Sequence, residues 1–328
     1  MPPVSSKTLS ATAALIAVAL IAGCGGSDDG TGSRSKPAPS ASEFPAANGK
    51  TIAQIIQSTS GQSQDVVSPA AGFFDLGTNR FPFGVFTAGR EQITDAEIAL
   101  YAAPGRTPDG PAIGPFPARI EDLTTRPAFR GRITADDPDT AQVAYVADIP
   151  LDKRGPWVFA ALIKSDGGLE YSLLPSPNPI GEYPMPGVGE RAPAVHTPTA
   201  DEVSDISQIE TRVPPDDMHN DDLADVLGEK PVVLLFATPA LCQTRVCGPV
   251  TDIAQQVKQQ YGDRVAFIHQ EVYKDNNINE GPRPEMLAYR LSTEPWCFVI
   301  DRSGKVSTTL QGAFSVRELE AAVERVAS

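Results

Sequence analysis

The chain has 328 residues, more than one average domain, and its 41% apolar and 21% charged residues are enough for packed cores and exclude a wholly disordered chain. A formal charge of −14 argues against a nucleic acid partner, because phosphate backbones are met by Lys and Arg. Four cysteines are too few for a disulfide-built scaffold, and 31 prolines imply long linkers or irregular loops.

A short polar stretch containing Lys7 opens the chain, and an apolar run over 11–22 follows. That run is short for a membrane span and has the length of a signal peptide's hydrophobic region; no later run reaches spanning length. It ends in Leu20-Ile21-Ala22-Gly23-Cys24, which resembles the lipobox of bacterial lipoproteins. The resemblance implies a signal peptide over 1–23, lipidation at Cys24, and an extracytoplasmic protein lipid-anchored to the bacterial cell membrane. Residues 24–50 are rich in Gly, Ser and Pro without apolar periodicity, which predicts a disordered tether with a reach of roughly 28 Å. In an oxidising compartment a cysteine pair is either a permanent staple or a redox centre.

Residues 51–174 carry short apolar strings separated by turns, with little helical periodicity, which predicts an all-β sandwich. Strands are expected over 97–102, 142–149, 157–164 and 169–174, the last two joined by the turn Ser165-Asp166-Gly167-Gly168. The stretch Ile149-Pro150-Leu151…Gly155-Pro156-Trp157 resembles small immunoglobulin-like periplasmic domains, with Trp157 as a core residue. Pro175, Pro177, Pro179, Pro184, Pro186, Pro193 and Pro198 predict a semi-stiff linker over 175–202. Residues 201–229 hold ten acidic residues against Arg212, a net −9, which reads as a solvated face or as a docking surface for a basic partner.

Residues 203–328 alternate strand and helix in the order β-α-β-α-β-β-α, after a short helix over 222–227. The continuous apolar run 232–237 is a buried central strand, and Val250, Ile253, Ala254, Val257 and Tyr261 line one face of a helix. Ser315 and Glu318 form a capping box for the last helix. Cys242 and Cys247 fall between the first strand and its helix, and Glu294-Pro295 stands before the third strand. With the run 296–304, this layout resembles the thioredoxin fold and its peroxiredoxin relatives, as does the lead-in Val188-Gly189-Glu190-Arg191-Ala192-Pro193. The fold class is therefore an N-terminal immunoglobulin-like β-sandwich followed by a C-terminal α/β thioredoxin-like domain.

A thiolate at a helix N-terminus is stabilised by unpaired amides and the helix dipole. Cys242, before the helix, is the expected nucleophile, Cys247 the resolving thiol, and Arg245 an added cation. The resemblance implies that Pro295 is a cis-proline beside the site. Positions five apart on a helix point about 140° away from each other, so a disulfide requires Cys242 outside it or an unwound first turn. Trp296 is expected to shield the pair or fill the core, and Cys297 to be a buried small residue or a third redox thiol. The four-residue spacing also resembles peroxiredoxin Q, with Arg290 the nearest candidate for that family's arginine, but Thr238 stands four rather than three residues before Cys242. The acid that thioredoxins bury under the site is replaced by Leu235. Sco-type copper chaperones pair two cysteines with a distant histidine; His269 lies in a strand, and His196 and His219 show no metal spacing. The expectation is a thiol-disulfide oxidoreductase acting on protein thiols or disulfides, with no cofactor and no metal. A thiol peroxidase and a non-enzymatic binding or scaffold lipoprotein with a structural disulfide are the rivals.

Overall fold

The computed structural model describes residues 1, 34–175, 178–242 and 244–327; the lipobox and Cys24 lie outside them. Helix α1 (Ile52–Ile56) is capped by Thr51 and Gln54. The short apolar strings become β1 (Val66–Pro69), β2 (Gly77–Phe86), β3 (Ile98–Pro104), β4 (Ile113–Pro117) and β5 (Arg119–Asp122), then α2 (Arg132–Asp136), β6 (Val143–Leu151), β7 (Gly155–Ser165), β8 (Gly168–Leu173) and β9 (Asn178–Ile180). They make two antiparallel sheets, β1-β2-β6-β5 and β4-β3-β7-β8, with β9 on β7. The expected hairpin joins β7 to β8. The turn between Leu151 and Gly155 instead crosses from one sheet to the other. Phe81, Phe83, Tyr145, Trp157 and Phe159 fill the core between the sheets.

β3 is buried on both faces. Ile98, Leu100 and Ala102 enter the core between the sheets, while Ala99, Tyr101 and Ala103 face outward, as the two-residue period of a strand requires. Phe44, Ala47, Ile52 and Ile55 cover that outer face. This corrects the tether expected over 24–50: its described part, from Arg34, runs along the surface but is held by specific contacts, with Phe44 and Ala47 buried. Ser40 and Glu43 form a capping box, Lys36 pairs with Ile120, and Tyr101 Oη donates to Pro45 O at 2.7 Å. Burying Phe44 contributes about 2 kcal/mol, one of several contacts that together order a stretch whose composition reads as disorder.

The C-terminal elements follow the predicted order: α3 (Leu223–Val226), β10 (Val232–Phe236), α4 (Cys247–Tyr261), β11 (Ala266–Gln270), α5 (Pro284–Ala288), β12 (Trp296–Ile300), β13 (Val306–Gln311) and α6 (Val316–Glu324). The sheet runs β11-β10-β12-β13, with β11 parallel to β10 and the other pairs antiparallel. Val233 and Leu235 face α4 and α6; Val232, Leu234 and Phe236 face the opposite layer. The predicted face of α4 is buried whole, and Ser315 and Glu318 cap α6.

Two hinged domains were expected, but the chain from Arg34 onward is one compact unit. Leu123, Ala141, Ala144 and Val146 from the β half share a core with Val250, Ile253 and Leu319. Arg80 forks onto Glu318, with Nε and Nη2 each 2.7 Å from a carboxylate oxygen, and Nη2 also donates to Ala313 O at 2.7 Å. Gly312 has φ +69, and a Cβ there would lie 2.1 Å from Ala70 O, so only glycine permits this approach. The proline-rich segment 175–202 is likewise no free linker: it contributes β9, buries Met185 and Ala192 in the C-terminal core, and bridges Arg191 to Lys305. Among the described residues no helix is long and apolar enough to cross a membrane.

Candidate functional site

The cysteine pair sits where β10 gives way to α4. Cys247 is the first residue of that fifteen-residue helix, and Cys242 lies before it, in the loop. Arg245, with φ 59, turns the loop so that the Cys247 N–H donates to Cys242 Sγ at 3.4 Å, while Thr244 Oγ1 lies 3.2 Å from the same sulfur. Both thiols are reduced. The Cys247 thiol and then the Thr244 hydroxyl hold the Cys242 thiol down at about 6, against burial, which opposes its ionisation. Cys247 is fully buried, and that burial first, then the Cys242 sulfur, pushes its thiol well up. The two thiols thus have unequal roles available: a partly exposed thiolate and a buried protonated partner.

The Glu294–Pro295 bond is cis, and Pro295 O accepts the Gly312 N–H at 2.9 Å. Glu294 beside it is partly buried; burial, and then the charge at Cys242, raise its carboxyl. Sequence reasoning quoted Glu294 only as the neighbour of Pro295 and missed it as an acid facing the thiolate. Leu235 is apolar, in the core opposite Cys297, and supplies no acid. A different buried acid, Glu271, stands nearby in sequence to β11. It accepts from Thr211 N and Oγ1 at 2.8 and 2.6 Å, and Thr211 Oγ1 in turn accepts the Ala240 N–H of the cysteine loop at 3.1 Å.

Three expected participants are placed elsewhere. Arg245 pairs with Asp139 of the β half at 2.5 Å, so the cation is spent across the junction, and hydrogen bonds account for the lowered Cys242 thiol. Trp296 is on the face opposite α4, between Phe73, Tyr183 and Phe298, and its Nε1 donates to Thr293 Oγ1 at 3.1 Å. It fills a core and does not shield the pair. Arg290 donates to Pro184 O at 3.2 Å. Cys297 alternates onto the α4 face in the same buried cluster as Cys247, and burial pushes its thiol up.

The acidic segment divides: six of its ten acidic residues are exposed, as a solvated face requires, while others turn to partners. Asp222 caps α3 and binds Thr197 and His196, Asp217 pairs with Lys258, and Asp221 pairs with Lys230. Glu210 and Asp216 turn into the protein and meet His219 and His269, whose rings lie 5.3 Å apart. Residues at 210, 216, 219 and 269 form no recognised spacing, so only the fold brings this donor set together. These four are the described residues suited to hold a metal. Two surface clefts, one lined by Lys36, Arg119 and Arg317 and another by Asp217, Lys258 and Phe267, do not include Cys242.

No protein-family model and no curated protein matches the sequence. Solved structures are similar over part of the chain. One is assigned as thiol:disulfide interchange protein DsbE from Chlorobium tepidum: 18% identity, 44% of this chain and 99% of that one, TM-score 0.33. Another is a thiol:disulfide interchange protein of the thioredoxin family from Chlorobium tepidum TLS: 18% identity, 42% and 100% covered, TM-score 0.26. A thioredoxin-like superfamily protein is 20% identical, with 33% and 86% covered and a TM-score of 0.27.

Proposed function

We propose that the chain is a lipid-anchored, extracytoplasmic thiol-disulfide oxidoreductase acting on thiols or disulfides of other proteins, with Cys242 attacking and Cys247 resolving. The observation that carries the reading is the partly exposed Cys242 sulfur held by the Cys247 N–H at 3.4 Å at the start of α4. A thiolate so placed is the reactive species in disulfide exchange. The anchor rests on the Leu20–Cys24 motif.

In the reducing direction the Cys242 thiolate attacks one sulfur of a substrate disulfide. The Cys242–substrate S–S bond forms, the substrate S–S bond breaks, and the departing thiolate takes up a proton. Cys247 then loses its proton, with Glu294 as the base, and attacks Cys242 Sγ. The internal disulfide forms and the second substrate thiol leaves. The protein dithiol is oxidised by two electrons and the substrate disulfide is reduced; the reverse sequence oxidises a substrate dithiol.

A lowered Cys242 thiol stabilises the reduced form and makes the pair more oxidising. The expected reduction potential therefore lies between those of thioredoxin and the strongest periplasmic oxidant, roughly −270 to −120 mV. Equilibration in glutathione buffers followed by alkylation and intact mass measures it. Cys242→Ser should abolish exchange, and Cys247→Ser should stall as a mixed disulfide. A potential below about −300 mV would mean a permanent staple and overturn the proposal.

A further inference from the structure

Glu210, Asp216, His219 and His269 lie behind the cysteine loop, with side chains 0–3% exposed. His269 Nδ1 is 2.8 Å from Asp216 Oδ2 and 3.4 Å from Glu210 Oε2. His219 Nε2 is 3.2 Å from Glu210 Oε2 and 3.8 Å from Asp216 Oδ1. A tetrahedral ion with bonds of about 2.1 Å sets its ligand atoms roughly 3.4 Å apart; Glu210 Oε2 lies 3.2 and 3.4 Å from the two ring nitrogens, Asp216 meets the rings with different oxygens, and one donor atom from each of the four residues lies within 4.8 Å of the others.

The hydrogen-bond directions place positive charge between the rings and the carboxylates. His269 Nε2 lies 3.1 Å from Ala237 O, a pure acceptor, so this nitrogen carries a hydrogen. Nδ1 faces the two carboxylates, 2.8 Å from Asp216 Oδ2, and their negative charge favours positive charge at this point, held by a second ring hydrogen or by a bound cation. Arg212, the basic residue of the segment, does not supply it: its guanidinium is committed to Asp252, Pro214 O and Phe129 O. Two carboxylates buried this deeply cost several kcal/mol unless paired. A divalent cation neutralises both without protonating either imidazole.

The outer contacts are those of a prepared donor set. Glu210 Oε1 accepts the Arg212 N–H at 2.6 Å, Asp216 Oδ1 accepts the Met218 N–H at 2.8 Å, and His269 donates to a backbone carbonyl. Such contacts fix ligand orientation in metal sites and set the imidazole tautomer. We propose that Glu210, Asp216, His219 and His269 form a closed structural site for a divalent transition cation of the zinc type, tying residues 210–219 to β11. Two nitrogens and two oxygens suit zinc, and four protein ligands leave no open position for catalysis. Binding displaces any imidazole proton held there.

The test uses the full chain carrying Cys242→Ser and Cys247→Ser, so that the redox pair cannot bind the metal. Metal content is measured as purified, after chelator dialysis, and after reloading with zinc chloride or cobalt chloride. The expected result is about one ion per chain, a cobalt d–d spectrum of four-coordinate character without a thiolate charge-transfer band, and a Tm that falls on chelation and recovers on reloading. His219→Gln and Asp216→Asn should each weaken binding at least about tenfold and remove the Tm response. Less than about 0.1 ion per folded chain, with a Tm indifferent to chelator and metal, would overturn the proposal and leave a network of protonated imidazoles and carboxylates. If a variant does not fold, the parent's stoichiometry and cobalt spectrum decide alone.

Discussion

Replacing Cys247 by alanine removes the group that does most to hold the Cys242 thiol down at about 6. At pH 7 such a thiol is about 90% ionised, whereas at the ordinary value of 9.0 it would be about 1% ionised. The larger thiolate fraction is mostly offset by weaker nucleophilicity, which falls about 16- to 30-fold over three pH units for a Brønsted slope of 0.4–0.5. The net gain at pH 7 is only about three- to sixfold, so a rate at one pH is a poor test and the titration midpoint is the right one. A charge-assisted hydrogen bond from a weak S–H donor contributes about 1.5 kcal/mol, or about one pH unit. Iodoacetamide labelling of the Cys242 peptide against pH should therefore show a midpoint near 6, moving to about 7 in Cys247→Ala. Cys247 and Cys297 are fully buried and should stay unlabelled in the native protein. A native midpoint between 8 and 9, or one that Cys247→Ala leaves in place, would refute the hydrogen-bond argument. The same shift has a stability counterpart. A lowered thiol stabilises the fold fully above the unfolded value of 9.0 and loses that contribution as pH falls through about 6. The reduced protein's Tm, measured against Cys242→Ser, should rise between these limits.

Glu294→Gln should slow decay of the mixed disulfide by about a hundredfold and remove the acidic limb of its pH profile. It should also lower the Cys242 midpoint, because a nearby negative charge is lost; an unmoved midpoint and profile would reduce Glu294 to a structural role. Arg80→Ala leaves the buried Glu318 carboxylate with a single arginine and should cost about 2–4 kcal/mol at pH 7 by urea unfolding. Glu318 is held below its ordinary value, so its stabilising contribution is lost on acidification and the Arg80→Ala deficit should shrink toward pH 3; a deficit independent of pH would refute the pairing. Gly312→Ala should cost about 2–4 kcal/mol through strain and the clash with Ala70, whereas Gly228→Ala, at φ +93 in open space, should cost only about 1 kcal/mol. Hydrogen peroxide should oxidise Cys242 no faster than a free thiolate of equal pKa, because Arg290 is engaged by Pro184 O; a large excess rate would favour a peroxidase.

The C-terminal half was legible because its signals are local. The apolar run of β10, the face of α4 and the Ser315–Glu318 box each specify an element by period or cap. The Cys242–Cys247 pair was legible for the same reason, since its position between strand and helix follows from those elements. Long-range commitments were not. Phe44 reads as one aromatic in a polar stretch until Tyr101 and Leu162 show the face it covers. Arg245 reads as a cation beside a thiol until Asp139 claims it. Glu210 and His269 are 59 positions apart in the numbering, and only the packing of the acidic segment against β11 makes them neighbours. Charge runs and prolines state composition, not the partner that each residue finds.

The fork of Arg80 on Glu318 spans 238 positions, and Arg119 reaches the same carboxylate across 199. Contacts of such separation carry a high loop-closure cost and slow folding. The β half, although first in the chain, cannot complete its own surface until the last helix has been made. During synthesis Arg80 and Arg119 therefore wait without their carboxylate while the sheets of the first half already have most of their strands. The junction is completed only by α6: a chain interrupted before it leaves Arg80 without the Glu318 carboxylate and Glu121 without Arg317, while Arg119 keeps Glu121 and Asp148.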